Sequence, residues 1–241
     1  MWWIAIVIVF ILLAIVILLA VLSIHVHNKG DYGDGGGTYV GGASGTGFYT
    51  PENEKAGQYG EQLVNYHLRP LLRTDEYLLA NVILKTQNGR KAEVDAILIS
   101  RKGIFCIETK RWVGHIYGND KDECWIQKYD DPYMPDRSHK NPVKQCLNHC
   151  VILDKMLNER YEIEGAVIFA DLEDGDGIDS AYTYGISDFK NHYRELPDNE
   201  INSAEIKPLY QKLLKFVATR EQLEAYKKET RKRYNWNKKH Y

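Results

Sequence analysis

The chain has 241 residues, a formal net charge of −2 and 44% apolar residues, which together suit one ordinary globular domain with appendages. Five Trp and 17 Tyr exclude a disordered chain, and four Cys are too few to staple a fold of this length with disulfides. The averages conceal an uneven distribution, because 23 of the first 24 residues are apolar while the rest of the chain is polar enough to exclude a multi-span membrane protein.

Trp2 to Leu22 runs for 21 residues without a charge, a helix of about 31 Å, which matches a hydrocarbon core of about 30 Å. No Lys or Arg precedes it, and Leu22-Ser23-Ile24 is a poor cleavage site. Residues 1–24 are therefore expected to form one uncleaved transmembrane helix rather than a signal peptide, with residues 2–22 as the contact to the membrane. Lys29, just beyond it, favours a single-pass protein with its globular domain in the cytoplasm. The absence of any CxxC pair among Cys106, Cys124, Cys146 and Cys150 agrees with reduced thiols. Between Gly30 and Gly47 nine of 18 residues are glycine, without the spacing of a phosphate-binding loop. Residues 25–53 thus read as a flexible linker, and no nucleotide cofactor is expected.

The body begins with a helix expected over about 54–73. Short β-rich segments follow near 77–84, 91–100, 103–110, 113–118 and 123–128, then a helix at 142–158 introduced by Asn141-Pro142. A buried strand is expected at 165–171, a loop-rich stretch to about 200, and helices at 203–217 and 219–233. That order predicts an α/β fold with a mixed central sheet flanked by helices, residues 54–200 forming the main domain and 201–241 C-terminal helices with a basic tail.

The chemistry concentrates on two strands. In KAEVDAILIS the spacing places Glu93 and Asp95 on one face, and in GIFCIETK it does the same for Glu108 and Lys110. The intervening Arg101-Lys102-Gly103 predicts a hairpin, whose antiparallel pairing brings the two ionic ends together. Clustered carboxylates need compensation, and a hard cation such as Mg²⁺ supplies it. An ordinary ion-pair cluster at strand ends is the simpler alternative. For Cys146, Cys150 and His149, packed thiols are favoured over a zinc site. Lys227 to Tyr241 carries seven Lys or Arg against one Glu. Lys227, Lys228, Arg231, Lys232, Arg233, Lys238 and Lys239, with Trp236 to stack on bases, form a candidate nucleic-acid surface; anionic lipid or solvent alone are the other readings.

At these residues the chain resembles the nuclease-related domain (NERD) family of the PD-(D/E)xK restriction-endonuclease-like superfamily. The resemblance rests on Gly60-Glu61, Glu93-Val94-Asp95, the run Gly103 to Lys110, Gly114-His115-Ile116, Trp125, Asn141-Pro142, Gln145 and the apolar strand Ala166 to Ala170, and it covers about residues 57–171. It implies a restriction-endonuclease-like sheet and Mg²⁺- or Mn²⁺-dependent hydrolysis of nucleic acid, DNA in preference to RNA. Asp95 and Glu108 would be metal-binding carboxylates, Lys110 the catalytic lysine, Glu61 an additional helix carboxylate and Gln145 a supporting amide. Where the family commonly has Ile-Asp-His, this chain has Val94-Asp95-Ala96, with Glu93 a candidate accessory group. The leading expectation is a membrane-anchored, metal-dependent nuclease. The alternative is a catalytically silent module that binds nucleic acid or protein at the membrane.

Overall fold

A computed structural model describes residues 51–86, 89–172 and 177–240, with side chains at 54–86, 89–172 and 177–233. The expected transmembrane helix at 1–24 and all of the linker up to residue 50 lie outside the described residues. Among those that are described, no helix is long and apolar enough to cross a membrane.

Helix α1 (Pro51–Leu68) ends in a short 3₁₀ turn at Arg69–Leu71. Strands β1 (Tyr77–Lys85), β2 (Lys91–Ser100) and β3 (Gly103–Lys110) then form an antiparallel meander. The two-residue connection at Arg101-Lys102 closes the β2–β3 hairpin, and Gly103 takes φ 133°, a backbone region that side chains disfavour. Strands β4 (His115–Asn119), β5 (Cys124–Lys128) and β6 (Arg137–Lys140) lead into α2 (Pro142–Met156) and β7 (Ile163–Phe169). The short strands β8 (Ile178–Asp179) and β9 (Thr183–Gly185) precede α3 (Ile186–Glu195), α4 (Ser203–Leu214) and α5 (Arg220–His240).

Two mixed sheets result. The larger runs in the order β1-β2-β3-β7-β9, with β7 parallel to both β3 and β9; the smaller runs β6-β5-β4-β8. Parallel β3 and β7 occupy the middle of the large sheet and are apolar on both faces, as a doubly covered strand must be. On one face Ile97, Ile99, Ile104, Cys106 and Val167 pack against Val143, Cys146 and Leu153 of α2 and Ile206, Leu209 and Leu213 of α4. On the other, Leu98, Phe105, Ile107 and Ile168 meet Val64 and Leu68 of α1 and Phe189 and Tyr193 of α3. Each such fully buried side chain contributes about 1.5–3 kcal/mol relative to exposure. Helix α4 is therefore part of the same core as the central sheet, and the segment after it covers the free edge of β1 through Ile83 N–H to Phe216 O (2.9 Å) and Ala218 N–H to Asn81 O (2.9 Å).

Two features move side chains from where simple alternation puts them. Leu79 and Val82 on β1, and Val94 and Ile97 on β2, are three residues apart yet share one cluster. The alternation slips at Asn81, which takes φ 56° and lies between the pairs Ala80–Ala96 and Val82–Val94, level with Asp95. In addition, the stretch expected to be loop-rich contains α3, whose burial rests on only Phe189 and Tyr193.

Candidate active site

The hairpin is paired at one end and open at the other. Backbone pairing between β2 and β3 runs from Ser100–Gly103 to Ala96–Ile107 and stops there. One residue further, the Asp95 carboxylate takes over the role of backbone, accepting the Thr109 N–H at Oδ2 (2.8 Å). This fixes one Asp95 oxygen and holds the carboxylate beside the last turn of β3. That end of β3 is itself anchored by parallel pairing to β7, Glu108 opposite Val167 and Lys110 opposite Phe169.

Glu108 and Lys110 share the face of β3 covered by α2. Glu108 is only 2% exposed; its Oε1 accepts from Lys110 Nζ, while its Oε2 is buried without a hydrogen-bond partner. Lys110 also donates to Gln145 Oε1 at 3.3 Å. Gln145 is delivered by the start of α2, where the buried Asn141 side chain caps the helix, accepting from Val143 N–H (2.9 Å) and Lys144 N–H (3.3 Å). The amide of Asn141 also donates to the carbonyls of Asn119, Asp120 and Asp122, which ties the helix to the β4–β5 turn. Four residues beyond Gln145 on the same helix face, His149 Nδ1 lies 3.6 Å from Glu108 Oε2, too long for a hydrogen bond, and has no other partner. Burial, reinforced by the Lys110 charge, pulls the His149 imidazole down to about 4, so it is neutral near pH 7.

Glu61 reaches the site from α1. A Cβ on the preceding Gly60 would stand 3.0 Å from Arg111 Cβ, so α1 approaches the end of β3 closely at this glycine. Burial, then the charge of Asp95, raises Glu61 to about 7. Burial, then Glu108, raises Asp95 well above the ordinary carboxylate range, and burial raises Glu108 despite its pairing with Lys110. Lys110 is pulled down by burial, but Glu108 and Asp95 outweigh this and its charge is held. The site is thus a crowded, half-dry group of carboxylates lacking positive charge.

The slip at Asn81 corrects the expectation that period-two alternation puts Glu93 and Asp95 on one face. Asp95 turns to Thr109, whereas Glu93 pairs with Lys227 Nζ (3.3 Å) on α5. Of the cations expected to grip phosphate, Lys227 and Arg231 face the body, Arg231 pairing with Glu54, while Lys228, Lys232 and Arg233 are exposed. The side chains of Trp236, Lys238 and Lys239 lie outside the described residues. Cys106, Cys146 and Cys150 are buried free thiols, and Cys124 is exposed. Among the described residues no three His, Cys, Asp or Glu side chains converge closely enough to hold a metal ion by themselves.

Residues 56–170 match the nuclease-related domain family. The chain carries a nuclease-related domain. A similar protein, an uncharacterized protein of Bacillus anthracis, is 32% identical over 104 residues, covering 43% of this chain and 48% of its own length. The chain thus spans about half of that relative. No solved structure matches significantly. Within the nuclease-related domain lie Glu61, Glu93, Asp95, Glu108, Lys110, Gln145 and His149; Lys227 lies outside it. His149 and Lys227 were not expected in the site. The four-residue spacing from Gln145 is a signal for His149, but nothing local in the sequence separates Lys227 from its neighbouring cations.

Proposed function

We propose that the protein is a metal-dependent nuclease that hydrolyses phosphodiester bonds of DNA, anchored to a membrane by residues 2–22 with its nuclease-related domain in the cytoplasm. The observation that carries this reading is the meeting of Asp95, Glu108 and Lys110 at the open end of the hairpin, where one oxygen of Glu108 is buried and unpartnered. Such an oxygen fits a hard cation, since Mg²⁺ is commonly held by one or two carboxylates and otherwise keeps its waters. Asp95 and Glu108 would hold Mg²⁺ or Mn²⁺, with Glu61 at the edge of the site. Once bound, the ion supplies Lewis acidity toward a phosphoryl oxygen and toward water.

The protein's own groups do the rest. The Thr109 N–H orients Asp95, and the backbone pairing of β3 to β7 fixes the direction of Glu108. Lys110, kept charged by Glu108 and Asp95 and steered by Gln145, presents its ammonium to the negative charge carried by the phosphoryl oxygens as water attacks. Water adds to phosphorus, the bond to the leaving sugar oxygen breaks, and that oxygen takes up a proton. The exposed Lys228, Lys232 and Arg233 on α5 would hold backbone phosphates, a contact that weakens as salt rises.

The test uses the full chain in mild detergent with single- and double-stranded DNA and RNA, Mg²⁺ or Mn²⁺, and low salt. Cleavage of DNA is expected, falling at least about a thousandfold in Lys110→Ala with the circular dichroism spectrum unchanged. Failure of the wild-type chain to cut any of these substrates would sink the reading.

A further inference from the structure

The carboxylates of the site are served by two lysines. Glu108 is paired to Lys110 and Glu93 to Lys227, while Asp95 and Glu61 form no ion pair among the described residues. The two lysines differ in origin. Lys110 comes from β3, inside the matched residues 56–170, whereas Lys227 comes from α5, 57 positions beyond them. Lys227 and Glu93 are both sheltered, their side chains 18% and 16% exposed, which separates this pair from the surface ion pairs of the same helix such as Arg220–Glu224 at 87% and 66%.

Helix α5 aims this lysine through its own pattern. Leu223, Tyr226, Lys227, Thr230 and Arg231, at intervals of three and four, are the half-buried residues of its first three turns. Two more ion pairs flank Lys227, Arg231 with Glu54 of α1 and Lys91 of β2 with Glu229 (3.7 Å). The helix therefore spans the same two elements that supply Glu61 and Asp95. Once all four carboxylates have given up their protons, as a bound cation requires, Glu61, Glu93, Asp95 and Glu108 give four negative charges against two positive from Lys110 and Lys227. The excess of two equals one divalent cation, and removing Lys227 makes it three.

We propose that Lys227 is a positioning residue of the active site, contributed from outside the nuclease-related domain, which holds Glu93 and sets the charge that a divalent cation meets at Asp95 and Glu108, with Glu61 at the edge. This rests on the metal site of the proposed function and adds to it a residue and a role. Lys227 keeps Glu93 engaged on the α5 side, so that the affinity of the site is tuned for one ion.

The experiment is Mn²⁺ titration by calorimetry on the full chain in detergent, without nucleic acid. Lys227→Met keeps the length of the stem and removes the charge, and it should bind Mn²⁺ about tenfold more tightly. Lys227→Arg should bind as wild type. Glu93→Gln should bind about tenfold more weakly, and Glu93→Gln combined with Lys227→Met should return to within about twofold of wild type. Unchanged or weaker binding in a folded Lys227→Met variant overturns the inference and leaves the pair a staple for α5. If Lys227→Met does not fold, unchanged affinity in Glu93→Gln overturns it equally. A wild-type chain that binds no Mn²⁺ removes this inference together with the metal site, whereas the expected titrations without any DNA cleavage preserve it and reject the nuclease reading.

Discussion

The two ends of the β2–β3 hairpin are built on opposite principles. At the turn, Ile97, Ile99, Ile104 and Cys106 are fully buried, and backbone pairs run without interruption. At the far end the backbone pairing has stopped, a carboxylate occupies the place of a carbonyl opposite Thr109, and four acids and two lysines share a half-dry space. The first end stabilises the fold and has no chemistry to offer. The second strains the electrostatics of the fold and holds Asp95, Glu108 and Lys110, the three groups on which the proposed reaction turns. Rigidity is thus supplied a few residues from where it is needed, and the ionic end inherits its geometry from the apolar end and from β7.

Removing apolar volume at the turn sharpens this contrast most. Ile99→Ala should lower unfolding free energy by about 3 kcal/mol in urea melts, because Ile99 is fully buried and its cavity cannot collapse against strands held on both sides. Lys110→Ala, by comparison, should lower the urea midpoint less than Ile99→Ala, since Glu108 can take up a proton once its partner is gone, while activity falls at least about a thousandfold. Asn141→Ala comes next, at about 2 kcal/mol, since it removes a helix cap and takes one donor away from each of three carbonyls of the β4–β5 turn, of which Asn119 O keeps Trp125 Nε1–H. It should also reduce turnover, because the start of α2 carries Gln145; a variant as stable as wild type would show that the cap does not hold the helix.

The smallest effect concerns pH. Glu61 is raised from 4.5 to about 7 and Asp95 is raised too, so the folded chain retains protons that the unfolded chain has released. Their contribution is fully present below the unfolded carboxylate range and is lost as pH rises through the folded values. In chelator the melting temperature should therefore fall as pH goes from about 4.5 to 7. Asp95→Asn should flatten that slope, and Mg²⁺ should oppose it in wild type but not in Asp95→Asn. A melting temperature that climbs across this window would contradict the crowding described for the site.

Much of this was legible in the residues. β2 and β3 run over the spans that their apolar content predicts, and the two-residue turn between them follows from Gly103, so the approach of Asp95 to Glu108 and Lys110 could be reasoned from local pattern. The helix start at Asn141-Pro142 was equally visible, and with it the place of Gln145. Less visible was whatever depended on partners distant in sequence. Helix α3 has only two buried residues to announce it, and β6 is four polar residues that pair because β5 is there. The slip at Asn81 has no periodic signature, since it arises where the 216–218 segment binds the edge of β1. Lys227 resembled any other cation of a basic tail until the helix that bears it was seen against β2.

The covering of β1 by residues beyond 200 has a practical consequence. A fragment trimmed to residues 56–170 would keep every residue of the recognised domain yet expose the apolar surfaces that Ile201, Ile206, Leu209 and Leu213 now shield, together with an unpaired strand edge. Such a fragment is expected to associate through that edge rather than behave as a monomer. The boundary of the family match and the boundary required for folding are therefore different lines on this chain.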